Sequence, residues 1–204
     1  MLDASARGIA ETAQRIRDAG DDAAAEAYLR NQLGLSRERR DLAGEVTALS
    51  WLATTVSFAS RRAEGRDYAR QAYEASAQLD EVERVKSGLL LAGLLIGDPD
   101  SFAEAQSLLE RLRSLIADSR LDSRYEDMRL QRLESTLRRA GQTDAAGAVA
   151  VGIGQLRAAG NGFSGSQPEE RSPEWSKCLP AGRRQVHSSL SAERLLKRQD
   201  VGSV

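Results

Sequence analysis

Residues Leu130 to Ile153 read LQRLESTLRRAGQTDAAGAVAVGI. Leu130, Leu133 and Leu137 step by three and four, which places them on one face of a helix. Gly141 stands where that helix should stop, because glycine tolerates the left-handed backbone of a helix C-terminus. Thr143 before Asp144 can cap a second helix. On that helix, Ala146, Ala150 and Ile153 again share a face. The stretch therefore predicts two antiparallel helices joined by a short turn. Ala146 is the small residue needed where the two axes approach.

The same order of residues recurs upstream. Ile9, Ala13, Ile16, Gly20, Ala25 and Leu29 form one copy. Leu89, Ala92, Gly93, Ile96, Ala105 and Leu109 form another, with an adjusted turn around Pro99. The weakest copy is Ala53, Val56, Ala69 and Tyr73, with no glycine at the expected turn. The alanines at the close approach are then Ala25, Ala69, Ala105 and Ala146, spaced by 44, 36 and 41 residues. Two further stripes have helical spacing: Leu42, Val46, Leu49, Ala53 and Val56, and Val82, Val85, Leu89, Ala92 and Ile96. Capping boxes are predicted at Asp80 with Glu83, Ser101 with Glu104 and Ser123 with Glu126. Gly97 and Gly160 are further helix stops. About eight helices with short connections result, and no segment has the alternation of a strand.

A repeated pair of helices with these small and bulky positions resembles the tetratricopeptide class over about residues 1–160. The resemblance implies an all-α fold of about four helix pairs. Antiparallel helix hairpins would stack as a short right-handed solenoid; a closed helical bundle is the competing arrangement. The family's signature Trp, Tyr and Pro are largely missing, and the spacings depart from the usual 34 residues. Glycines 147, 152 and 154 should weaken the last helix, each by about 1 kcal/mol relative to alanine.

The composition changes near Gly160. The segment from Gly160 to Pro168 reads as a flexible linker. Residues 161–204, with Pro168, Pro173 and Pro180, read as a low-order tail in which residues 192–199 can form a short helix. Leu190, Leu195 and Leu196 give that helix an apolar side.

The chemistry of the chain excludes more than it proposes. The 204 residues carry 29 basic and 30 acidic side chains, so no global field draws the chain to nucleic acid or anionic lipid. Basic pairs at Arg39-Arg40, Arg61-Arg62, Arg138-Arg139 and Arg183-Arg184 lack interleaved aromatics, so nucleic acid is not an expected partner. The only histidine, His187, and the only cysteine, Cys178, both fall in the tail. No metal-ligand cluster, nucleophilic triad or cofactor site is expected, and the chain reads as a non-enzyme. Gly160-Asn161-Gly162-Phe163-Ser164-Gly165 spells G-x-G-x-x-G. It follows a helix and opens a linker, whereas a dinucleotide fingerprint follows a strand. The longest apolar run, Leu89 to Ile96, is too short for a membrane span. The N-terminus, Met1-Leu2-Asp3-Ala4-Ser5, opens no apolar h-region of a secretory signal, so a cytoplasmic location is expected. Only three lysines occur, against abundant arginine and alanine, a habit of GC-rich, and so bacterial, genomes.

The resemblance also implies a concave surface made by the first helix of each pair. By register that surface would contain Arg7, Gln14 and Arg17 from the first pair and Trp51, Thr54, Phe58 and Arg61 from the second. Leu90 and Leu94 would follow, then Gln131 and Arg138. Trp51 and Phe58 fit a core position equally well. An extended peptide or a helix of a partner could lie there, its apolar anchors buried and its acidic groups met by arginine. The family's lysine–asparagine clamp for chaperone tails is missing. The expected role is that of a protein-binding adaptor or scaffold. The alternative is a detached sensor domain of a bacterial transcription or signalling system, with self-association through its end helices.

Overall fold

A computed structural model of the chain describes residues 4–119 and 121–161. They form eight α-helices: α1 Ala4–Asp18, α2 Asp22–Arg39, α3 Leu42–Phe58, α4 Arg62–Ser76, α5 Glu81–Leu95, α6 Phe102–Asp118, α7 Ser123–Arg139 and α8 Thr143–Asn161. A short 3-10 turn, Pro99–Ser101, precedes α6. No strand occurs among the described residues. Tail residues 162–204 lie outside them, together with the expected helix 192–199, Cys178 and His187.

Each helix packs on the one before it and the one after it, giving four antiparallel hairpins stacked in chain order. This is the nearest-neighbour organisation of a solenoid. Leu29, Leu49, Leu52, Leu89, Leu108 and Leu109 are fully buried along its length. The core is therefore continuous from the first hairpin to the third.

The repeat is more regular than the alanine spacing suggests. The second helices begin at Asp22, Arg62, Phe102 and Thr143, which are 40, 40 and 41 residues apart. The fourth residue of each is buried: Ala25, Gly65, Ala105 and Ala146. The close-approach residue of the second hairpin is thus Gly65, not Ala69. A Cβ on Gly65 would lie 2.8 Å from the Ala53 carbonyl oxygen and would also strike Ser57 Oγ. Alanine does not fit there, so the position escapes a search for small side chains that looks for alanine.

The turn of the second hairpin shows the same substitution of type. Gly20 and Gly141 take left-handed φ values of 82° and 78°, and Ser60, 40 residues after Gly20, takes 66°. The hydrogen bonds match: Asp21, Arg61 and Gln142 N–H donate to the carbonyls of Ile16, Val56 and Leu137. The turn survives without its glycine, at the cost of a side chain in the left-handed region.

The caps follow the sequence in part. Asp80 accepts from Glu83 N–H at 2.8 Å, as expected. Ser123 does not cap α7; the preceding Asp122 does, accepting from Arg124 N–H. Ser101 makes no capping bond either, because Asp98 caps the 3-10 turn upstream. A carboxylate placed nearby outcompetes the serine hydroxyl in both cases. Gly160 lies inside α8 rather than ending it, and α8 runs unbroken through Gly147, Gly152 and Gly154.

Candidate partner-binding face

The two sides of the stack differ. On the odd-numbered side, α1 comes close to α3 and α5 to α7, with a slighter approach of α3 to α5. No pair of even-numbered helices comes as near. On the even side, long side chains span the wider gap. Arg30 donates to Glu64 at 2.8 Å, and 40 residues on, Arg70 donates to Glu104 at 2.9 Å. Arg61 bonds Glu26 and Arg66 bonds Asp98 in the same row. The Arg61 bond holds the Glu26 carboxyl below its usual range, with Arg30 adding to the effect.

The odd side has another chemistry. No charged residue occurs on α3 between Val46 and Phe58, or on α5 between Ser87 and Leu95. The charges of α3 and α5 are confined to their N-terminal portions, Glu45 on α3 and Glu81 to Lys86 on α5, whereas α1 and α7 carry charges along their length.

The eleven residues expected on the concave surface are dispersed. Arg17, Trp51 and Phe58 come together: the Arg17 guanidinium lies 4.9 Å from the Phe58 ring centroid and 6.0 Å from that of Trp51. Its Nε reaches Asp22 at 3.4 Å, and its Nη1 is enclosed with no hydrogen-bond partner among the described residues. Phe58 is 41% exposed, whereas Trp51 is buried at 4%. Trp51 is therefore a core residue, and Phe58 carries the exposed aromatic surface.

Thr54 is 2% exposed and donates its hydroxyl to Trp51 O at 2.8 Å. It belongs to the helix interior and cannot line an open surface. Arg61 stands in the even-side row with Glu26 and Glu64, so it is removed from the odd face. Arg7 is exposed on α1. Gln14 donates to Asp18 at 2.5 Å. On α7, Gln131 donates to Asp127 at 2.6 Å, and exposed Arg138 pairs with Glu134. Leu90 is buried, and Leu94 is half-buried.

Two α7 residues missed by the register are better placed. Arg132 Nε donates to Leu89 O at 2.7 Å and Arg139 Nη1 to Ile96 O at 3.0 Å, both across to α5 and its C-terminal residue. The acceptors are seven residues apart, as are the donors. The sequence shows that spacing but not the carbonyl acceptors, so nothing distinguishes these arginines from those beside them. No group of three metal-ligating side chains occurs among the described residues. No described helix is long and apolar enough to cross a membrane.

No family model matches the chain, and no curated protein is similar to it. Among solved structures, the chain is similar to the crystal structure of BtubC (BKLC) from P. vanneervenii, with a TM-score of 0.67 at 20% identity. The likeness covers 81% of this chain and 68% of that one. At that identity it shows a shared helical fold and nothing of activity.

Proposed function

We propose that the chain is a tetratricopeptide-like adaptor that holds a segment of a partner protein against its odd-helix face. The observation that carries this reading is the pairing of Arg17 with exposed Phe58. Phe58 is left open to solvent with a guanidinium stacked on it, next to stretches of α3 and α5 that carry no charge. Aromatic and arginine side chains of this kind supply much of the binding energy at protein interfaces. The nearest-neighbour stacking supports it too, because such folds present long faces rather than deep pockets.

The test is selection from a random peptide library on the full chain, followed by mapping of the selected peptides by NMR shift perturbation. Perturbations should centre on Arg17, Phe58 and Leu94, and Phe58→Ala should weaken binding about tenfold, or 1.4 kcal/mol. Perturbations centred on Arg30 and Arg70 would place the partner on the other side and sink the reading, as would a failure to enrich any peptide.

A further inference from the structure

The α5–α7 crevice has an unusual electrostatic composition. Every acidic residue of α7 already has a cationic partner: Glu126 with Arg129, Asp127 with Arg157 and Glu134 with Arg138. Arg132 and Arg139 have none among the described residues; each donates only to backbone carbonyls. α5 offers no acid from Ser87 to Leu95, and Asp98 beyond it is bonded to Arg66.

Arg132 is the deeper of the two. Its Nη2 is enclosed and has no hydrogen-bond partner among the described residues. Burial pushes its guanidinium down to about 10, which leaves it charged at neutral pH. Gly93 makes this possible, since a Cβ there would sit 3.3 Å from Arg132 Nε. Arg139 lies at the exposed end of the crevice, beside Ile96 and the exposed Gly97. A buried cation without a counter-charge is costly, and an incoming anion offsets that cost.

We propose that this crevice binds an extended acidic segment of a partner protein, in which two carboxylates three residues apart meet Arg139 and Arg132. The proposal rests on the reading of the odd-helix face as a peptide surface and specifies the peptide's chemistry. The spacing follows from helix geometry. Seven residues along α7 cover about 10.5 Å. In a polyproline-type chain, residues three apart share a side and lie about 9.3 Å apart. Flexible arginine stems absorb the difference. A crevice between two touching helices admits an extended chain more readily than a third helix. Half-buried Leu94 on α5 gives the peptide an apolar flank. No free terminal carboxylate is needed.

The experiment is fluorescence polarisation of the full chain with a labelled nonapeptide containing Glu-Pro-Pro-Glu, against the same peptide containing Gln-Pro-Pro-Gln. The acidic peptide should bind in the micromolar range and weaken with added salt. The neutral peptide and the variant Arg139→Gln should each bind at least about tenfold more weakly. Arg139 is exposed, so its loss leaves the fold intact; Arg30→Gln, on the even side, serves as the control and should bind as the wild type does. Equal binding of the two peptides, binding indifferent to Arg139→Gln, or no binding overturns the proposal. So does a single-stranded oligonucleotide that displaces the peptide and binds more tightly through Arg139, because the crevice would then be a nucleic-acid site. Failure here with library peptides still mapping to Phe58 leaves the adaptor reading standing. Failure to map to the odd face removes that reading as well.

Discussion

Gly65 of α4 lies so close to the Ala53 carbonyl of α3 that a single added carbon would sit 2.8 Å from that oxygen. The second hairpin is closed at this point by the absence of a side chain. Gly65→Ala must push the two helices apart. Alanine's higher helix propensity returns about 1 kcal/mol, but overpacking against backbone costs about 1–3 kcal/mol. The expected result is a net loss of roughly 1 kcal/mol, read from urea unfolding. A gain in stability would show that the approach is looser than described.

Ser60 offers the opposite case. It holds φ at 66° where Gly20 and Gly141 stand in the equivalent turns. A non-glycine residue there costs about 1–2 kcal/mol, partly offset by the greater freedom of glycine in the unfolded chain. Ser60→Gly should therefore stabilise the protein by about 0.5–1 kcal/mol. A shift of the urea midpoint to lower concentration would refute this.

The bond from Arg61 holds the Glu26 carboxyl below its ordinary range. A carboxyl depressed on folding contributes stability that is present above its unfolded value, about 4.3, and is lost as pH falls through the lower folded value. Arg61→Ala should move the Glu26 titration, followed by NMR, upward towards 4.3. The same variant should flatten the acid limb of the stability profile. An unmoved titration would mean that Arg30 alone sets the Glu26 environment.

Arg30 and Glu64 are 49% and 35% exposed, so their pairing is solvent-screened. A double-mutant cycle should give a coupling of about 0.2–1 kcal/mol that shrinks with salt. A coupling above about 2 kcal/mol would show that the row behaves as a connected network.

Arg132 should be a liability to the fold. Replacing a partly buried charge that has no counter-ion among the described residues by an apolar side chain of similar length removes its desolvation cost. Arg132→Met should leave the unfolding midpoint unchanged or higher. A drop of several kcal/mol would show that its bond to Leu89 O outweighs the desolvation of the guanidinium.

The sequence makes the eight helices legible, because apolar spacing, helix stops and the cap at Asp80 all act within a few residues. The period of 40 residues is hidden by two changes of residue type at fixed geometry: Gly65 stands for alanine, and Ser60 stands for glycine. The surroundings of the expected surface residues are only partly legible. Register places Arg17 on α1 and Phe58 on α3, and their stacking follows from the meeting of those two helices. Thr54 turns inward because its hydroxyl finds a carbonyl in its own helix. Arg61 leaves the expected face because its strongest partner, Glu26, is 35 residues away in the chain. Arg132 and Arg139 are invisible for the same reason: backbone carbonyls 43 residues away leave no signature in side-chain types.

The row of arginine–carboxylate pairs that spans α2, α4 and α6 reaches no further. At the positions equivalent to Arg70 and Glu104, the third and fourth hairpins carry Glu110 and Ala145, and Glu110 bonds Arg113 of its own helix. Among the described residues the last hairpin is thus joined to the stack chiefly through α7, while its second helix carries several glycines. In a one-dimensional array, local opening begins at the unit with the weakest coupling. Amide protons of α8 should therefore exchange with solvent well before those of α3 and α5. The protein would then lose its order directionally under stress, from one end, with the Arg17–Phe58 end the last to go.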